Sequence, residues 1–299
     1  MYHSQTHALL QILDKSELTA LGKYLQSPFA TAKKFIYPLF KILKSQKPGA
    51  GKKVEALFAR VFPGEAFDQD KWNRALSDLN ACILEFLAIT QLSADPVLKQ
   101  QTYIDAFHGR GNEKLFLRFT DPVLNNPPGS EAGEMPDSWY LRFITLQRVA
   151  SYPLTDRMKK IQDPFLDDLE QSLDTYYFIS RLQLACNRVS RQHSQRTAHD
   201  QAFYSQLLDQ SAPLARTGKS ALLQLYHALL VLLVRPDASF DSFFDMLCTQ
   251  APRIFREEQE YLVRLSINYC IRRNREGHGE ALGWYQRLID WAAAQHLYA

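Results

Sequence analysis

Residues 72–87 read WNRALSDLNACILEFL. Trp72, Leu76, Leu79, Ile83, Phe86 and Leu87 recur at helical spacing, with Arg74, Asp78 and Glu85 between them. An α-helix turns once in about 3.6 residues, so this spacing gathers the apolar side chains on one stripe. A half-buried strand would alternate strictly, and this stretch does not. The reading is a long amphipathic helix starting near Asp68.

The same period runs outward in both directions. Upstream, Leu9, Leu10, Ile12 and Leu13 form one helical stripe, and Leu18, Leu21, Tyr24 and Leu25 another. Ser16 is the expected N-cap of the second, and Ser27-Pro28 its end. A third helix carries Phe35, Ile36, Leu39, Phe40 and Leu43, with Pro38 expected to kink or break it. A short fourth holds Val54, Leu57, Phe58 and Val61 and stops at Pro63-Gly64. Downstream, Asp95-Pro96 reads as a cap followed by proline at the first helical position, and that helix ends near His108-Gly109.

The Pro- and Gly-rich stretch NNPPGSEAGEMPD, Asn125–Asp137, has no apolar period. It is expected to be an exposed, mobile linker. The chain then divides into an N-terminal helical domain at 1–124, the linker at 125–137 and a helical-repeat domain at 138–299. Within the last, first-helix markers Cys186, Leu230 and Cys270 are 44 and 40 residues apart, and second-helix leucines Leu208, Leu247 and Leu288 are 39 and 41 apart. Helix pairs repeating at about 40 residues suit an α-solenoid. The expected fold is all-α: a right-handed α-α superhelix, tetratricopeptide-like, preceded by an N-terminal helical bundle. No hairpin turn or sustained alternation argues for strands.

Composition narrows the function classes. The 299 residues are 46% hydrophobic and 12% aromatic, enough for a substantial core. The net charge is only +3, but residues 1–53 hold nine lysines against Asp14 and Glu17, about +7, which leaves about −4 for the rest. A solvated basic face or a nucleic-acid contact both fit that segment. Cys82, Cys186, Cys248 and Cys270 form no C-x-x-C pair and sit among apolar residues, as reduced core thiols of a cytoplasmic protein would. No secretory leader is read at the start. The most apolar run, Ala221–Val234, is shorter than the roughly 20 residues a bilayer requires and reads as a buried helix.

Two stretches carry a family resemblance. LDKSELTALGKYLQSPF at Leu13–Phe29, with VEALFARVFPGEAFDQDKWNRALSDLNACILEFL at Val54–Leu87, is the first; LVRLSINYCIRRNREG at Leu262–Gly277, followed by GWYQRLIDWA, is the second. Together they resemble a family of uncharacterised helical proteins from Bacteroidetes-type bacteria. That resemblance implies a tetratricopeptide-like later part and a longer architecture of which this chain would be the first portion. It implies no activity and no catalytic residues. The strict tetratricopeptide pattern, with its period of 34, is absent.

Motifs for chemistry are weak. Thr217-Gly218-Lys219-Ser220 resembles the end of a phosphate-binding loop, but Pro213 stands where the first glycine belongs, and a helix start after a glycine turn accounts for it. His193 and His199, six apart, fall on different helix faces; His3 and His7 lack a third ligand. His227 reads as a satisfied core or boundary histidine. Cys186 and His193 are two turns apart, too far for a hydrogen bond. Glu260 with Arg264, and Arg253 with Glu257, read as i, i+4 surface pairs. No catalytic residue, metal ligand or cofactor is expected.

What remains is recognition. Tyr177, Arg181 and Arg188 share a face in a segment with no nearby acid, Arg181–Arg196, and are candidates for gripping phosphate, an RNA backbone or an acidic peptide. Trp284, Leu288 and Trp291 form an apolar arc on the C-terminal helix wider than one neighbour requires, which points to self-association, a partner or further repeats. The expected function is a non-catalytic helical-repeat scaffold for a protein or peptide. The alternative is a nucleic-acid-associated protein using the Lys-rich N-terminus and Arg181–Arg196.

Overall fold

The computed structural model describes residues 2–30, 33–45, 54–128, 133–152, 163–195 and 201–297. Among them are fourteen α-helices, one 3-10 turn and no strand; the only β feature is an isolated bridge between Glu134 and Ile254. The chain forms two compact units, Met1–Lys99 and Gln100–Ala299.

The first unit holds α1 (Tyr2–Gln11), α2 (Lys15–Tyr24), α3 (Ile36–Lys44), α4 (Val54–Val61) and α5 (Gln69–Ala94). Helix α5 is its spine and packs on α1, α2 and α3. Its stripe is buried as read: Trp72, Leu76, Leu79, Ile83 and Phe86 meet Leu21, Leu39, Phe40 and Phe58. Asp68 caps it by accepting from the Asp70 and Lys71 amides at 2.8 and 3.0 Å. By length and composition α5 is also apolar enough to cross a bilayer, although this face lies in the unit's own core.

Two local expectations are corrected here. The N-cap of α2 is Asp14, not Ser16. Asp14 accepts from the Glu17 amide and Glu17 accepts from the Asp14 amide, both at 2.8 Å, a reciprocal box in which Ser16 only donates to Asp14. Pro38 does not break α3. The helix starts at Ile36, so Pro38 stands in the first turn, where backbone N–H groups have no intrahelical partner to lose.

The second unit begins within α6 (Pro96–His108), whose cap Asp95 accepts from the Leu98 amide at 2.9 Å. It continues with α7 (Glu113–Asn125), α8 (Pro136–Ser151), α9 (Asp163–Gln195), α10 (Gln201–Arg216), α11 (Ala221–Val234), α12 (Phe240–Gln250), the 3-10 turn Ala251–Arg253, α13 (Arg256–Arg275) and α14 (Ala281–Ala294). The division between units therefore falls at 99–100 and not at 125–137. Apolar and ionic contacts draw α6 and α7 to α8: Phe116 stacks on Tyr152 at 4.3 Å, and Arg148 pairs with Asp105 at 2.6 Å.

Of the expected linker, Asn125, Asn126 and Pro127 are exposed as read, and the part from Gly133 onward is corrected. Residues 129–132 lie outside the described residues. From Gly133 onward the segment is pinned: the Glu134 amide donates to the Arg253 carbonyl at 2.7 Å, and the Phe255 amide donates to the Glu134 carbonyl at 3.1 Å. Glu134 itself is fully buried.

Helix α11 is the centre of this unit. Nine of its fourteen residues are buried, and α9, α10, α12 and α13 pack around it. The long α9 also touches α13 directly. The turn Thr217–Ser220 is the start of α11: Gly218 takes φ +68°, and Ser220 accepts from the Leu223 amide at 3.0 Å. His227 reaches the Leu208 carbonyl at 3.3 Å, and burial lowers its pKa.

Candidate functional site

Helix α13 lines one side of a trough in the second unit whose other side is formed first by α9 and then by α10, floored in part by the end of α11. Its upper part is a cavity of about 480 Å³ lined by Asn187, Ser190 and Arg191 from α9 and by Tyr261, Arg264 and Asn268 from α13. Ser190 and Asn268 also line the next cavity, about 510 Å³, which adds Leu233, Arg272, Arg275 and Glu276. A third, about 170 Å³, shares Leu233, Tyr269, Arg272 and Glu276 and extends to Arg235 and Arg273. Among the described residues, six arginines and one carboxylate thus line the trough.

Two of the guanidinium groups are held in place. Arg264 lies over the Tyr261 ring at 4.9 Å and Arg272 over Tyr269 at 5.2 Å. Arg272 also donates to the Leu233 carbonyl at 3.3 Å, and burial lowers its pKa, with Glu276 opposing that shift. Glu276 sits 3.9 Å from Arg272 and 3.4 Å from Arg273. Arg191, Arg264 and Arg275 have no carboxylate partner among the described residues. The floor offers amide and hydroxyl groups, and the Ser190 hydroxyl is buried without a hydrogen-bond partner among the described residues. Such a surface attracts anions and holds extended chains by hydrogen bonds.

The residues expected from the sequence are placed as follows. Tyr177 and Arg181 do share a face: the Arg181 guanidinium lies 6.0 Å from the Tyr177 ring and 5.2 Å from Phe203 of α10. Arg188 is exposed farther along that face. All three belong to α9 and lie outside the residues that line the trough. Arg196, His199 and the His193 side chain lie outside the described residues. Among the surface pairs, Arg256 holds Glu260 at 3.0 Å, while Arg253 donates to Gln250 and to the Lys219 carbonyl.

The C-terminal arc turns inward. Trp284 stacks on Phe240 at 5.0 Å and on Tyr269 at 6.2 Å. Leu288 has no exposed surface, so its reading as a contact residue is corrected to core. Trp291 is half-buried against the same core. The arc is broad because it meets both α12 and α13.

Sequence reasoning missed the trough's arginines as a set, because Arg191 on α9 and Arg235 after α11 join Arg264, Arg272, Arg273 and Arg275 of α13 only in the folded unit. It also missed a buried polar cluster. The Glu134 carboxylate accepts from Trp139 Nε1 at 2.6 Å, from the Ser220 hydroxyl, and from the Ala221 and Leu222 amides at 2.7 and 3.3 Å. Burial raises its pKa above the ordinary glutamate value, against the pull of those four donors. Close by in the fold, Tyr226 donates to Glu258 at 2.5 Å and accepts from Gln183 at 3.1 Å. Every donor around Glu134 is structural, and the helix N-terminus that a phosphate-binding loop would offer to a ligand is occupied by this internal carboxylate.

Comparison of the chain with protein-family models, with curated proteins and with solved structures finds no match in any of the three.

Proposed function

We propose that this chain is a non-catalytic helical-repeat scaffold, with a tetratricopeptide-like arrangement of its later helix pairs, that binds an acidic peptide segment of a partner protein. The trough between α9 and α13 carries the proposal: among the described residues Arg191, Arg264 and Arg275 have no carboxylate partner, they stand beside Asn187 and Asn268, and Glu276 is the one carboxylate on the lining. Arginine suits this task because its planar fork pairs with carboxylates in a fixed geometry. The helix pairing α10–α11, α11–α12 and α13–α14 supports the repeat reading. Four free cysteines are consistent with a reducing, cytoplasmic setting.

The test is fluorescence anisotropy with a labelled peptide of alternating glutamate and leucine. R264E/R275E should weaken binding at least tenfold, while R60E in the first unit leaves it unchanged. Equal binding by wild type and R264E/R275E overturns the proposal. So does tighter binding of single-stranded RNA with a steep salt dependence, which favours the nucleic-acid alternative.

A further inference from the structure

Helix α9 carries a second surface, on its outer side. Leu166, Leu173, Tyr177 and Leu184 are 52%, 42%, 48% and 64% exposed. They are separated by seven, four and seven residues, which at about 100° per residue keeps them within an arc of about 40°. Isolated exposed leucines are ordinary, but a row at this spacing is the seam that one α-helix offers another.

The charges along α9 identify the occupant. Its first half carries Asp167, Asp168, Glu170 and Asp174; its second carries Arg181, Arg188 and Arg191. Glu170, Tyr177, Leu184 and Arg188 are all exposed on the seam side, and neither Glu170 nor Arg188 has an ion-pair partner among the described residues. A helix that is acidic at one end and basic at the other complements itself when two copies run antiparallel.

We propose that α9 pairs antiparallel with α9 of a second copy of this chain. In the register centred between Tyr177 and Ser180, Leu173 of one copy faces Leu184 of the other. Tyr177 faces the small Ser180, and Glu170 faces Asn187 with Arg188 beside it. Each contact occurs twice about the two-fold axis, as an isologous dimer requires. The overlap from Leu166 to Arg191 is about 39 Å long at ~1.5 Å per residue. The pairing uses the outer face of α9; Arg191, at the end of the overlap, also lines the trough, whereas Arg264 and Arg275 belong to α13.

Sedimentation and light scattering on the full chain over a concentration series test this. The wild type should form a dimer. L184D should abolish it while circular dichroism shows helix content unchanged, as expected for a side chain this exposed. E170R and R188E should each weaken the dimer about tenfold, and E170R/R188E in one chain should restore it, because each reversed charge then stands beside its reversed partner. A monomer at every concentration overturns the proposal. So does a dimer indifferent to L184D, or a double charge swap no better than the single ones. Trough variants such as R264E/R275E should leave the dimer intact, so the two readings fail separately.

Discussion

Replacing Glu134 should do more damage than any other single substitution outside the apolar core. Its carboxylate is the shared acceptor for four donors in a site with no exposed surface. In Glu134→Ala the Ser220 hydroxyl can rotate to another acceptor, but the Trp139 indole and the Ala221 and Leu222 amides cannot. Three orphaned buried donors cost about 1–3 kcal/mol each. Relief of the carboxylate's burial penalty offsets part of this, leaving a net loss of about 3–5 kcal/mol. Glu134→Gln keeps one acceptor oxygen, and its NH2 end can donate to a rotated Ser220 hydroxyl. One donor is then orphaned, for a loss of about 1–3 kcal/mol. Urea unfolding followed by far-UV circular dichroism and tryptophan emission measures both. A loss below about 1 kcal/mol for Glu134→Ala, or equal losses for the two variants, would refute the reasoning.

The pH dependence has a definite sign. Burial raises the folded-state pKa of Glu134 above its ordinary value. Its contribution to stability is then fully present below the unfolded pKa of about 4.3 and declines as pH rises through the folded value. The advantage of glutamate over glutamine at this position should be larger near pH 4 than near pH 7. The opposite slope would show that the four donors outweigh burial.

Gly133→Ala should destabilise the second unit by about 1–3 kcal/mol, because φ is +81° and a Cβ would stand 3.3 Å from the Phe255 amide nitrogen; thermal denaturation reports it. Leu76→Ala removes a fully buried side chain on α5 and should cost about 2–5 kcal/mol in urea unfolding. With a disulfide reagent near pH 8, half-buried Cys248 should be labelled well before fully buried Cys186, whose thiol burial pushes far up, and Cys270, pushed up to about 12; mass mapping of the labelled peptides checks the order.

What was legible in the sequence was whatever depends on near neighbours. The α5 stripe, the start of α5 near Asp68, the Asp95 cap and the helix start after the Gly218 turn all involve partners within four residues, and all stand as read. Asn125–Asp137 misled because composition reports only what a segment lacks, here an apolar period. Its anchors are backbone bonds from Glu134 to Arg253 and Phe255 and a carboxylate whose partners at Ser220 and Leu222 are 86 and 88 residues away. A glutamate in a Pro-Gly loop looks the same whether it faces water or a buried helix end. The trough was hidden for the same reason. Arg191 and Arg264 become neighbours only once α9 packs on α13, and a charge count along either helix alone does not reveal it. The unit boundary slipped because α6 runs through residues 99 and 100 without a break, leaving no composition signal there.

The two misread ends meet on α11. Its sequence, ALLQLYHALLVLLV, has no acid in the first turn and no base in the last, so nothing in the helix itself offsets its dipole. Both charges come from elsewhere: the Glu134 carboxylate accepts from the Ala221 and Leu222 amides at the N-terminus, and the Arg272 guanidinium donates to the Leu233 carbonyl at the C-terminus. Apolar burial is non-directional, and a helix coated in leucine can slide or rotate among similar packings at little cost. Three charge-assisted bonds, two at one end and one at the other, remove that freedom, because a shift by one residue would disrupt them at both ends. One of them is made by Arg272, which also lines the trough, so the register of the central helix and the shape of the proposed binding surface depend on the same side chain.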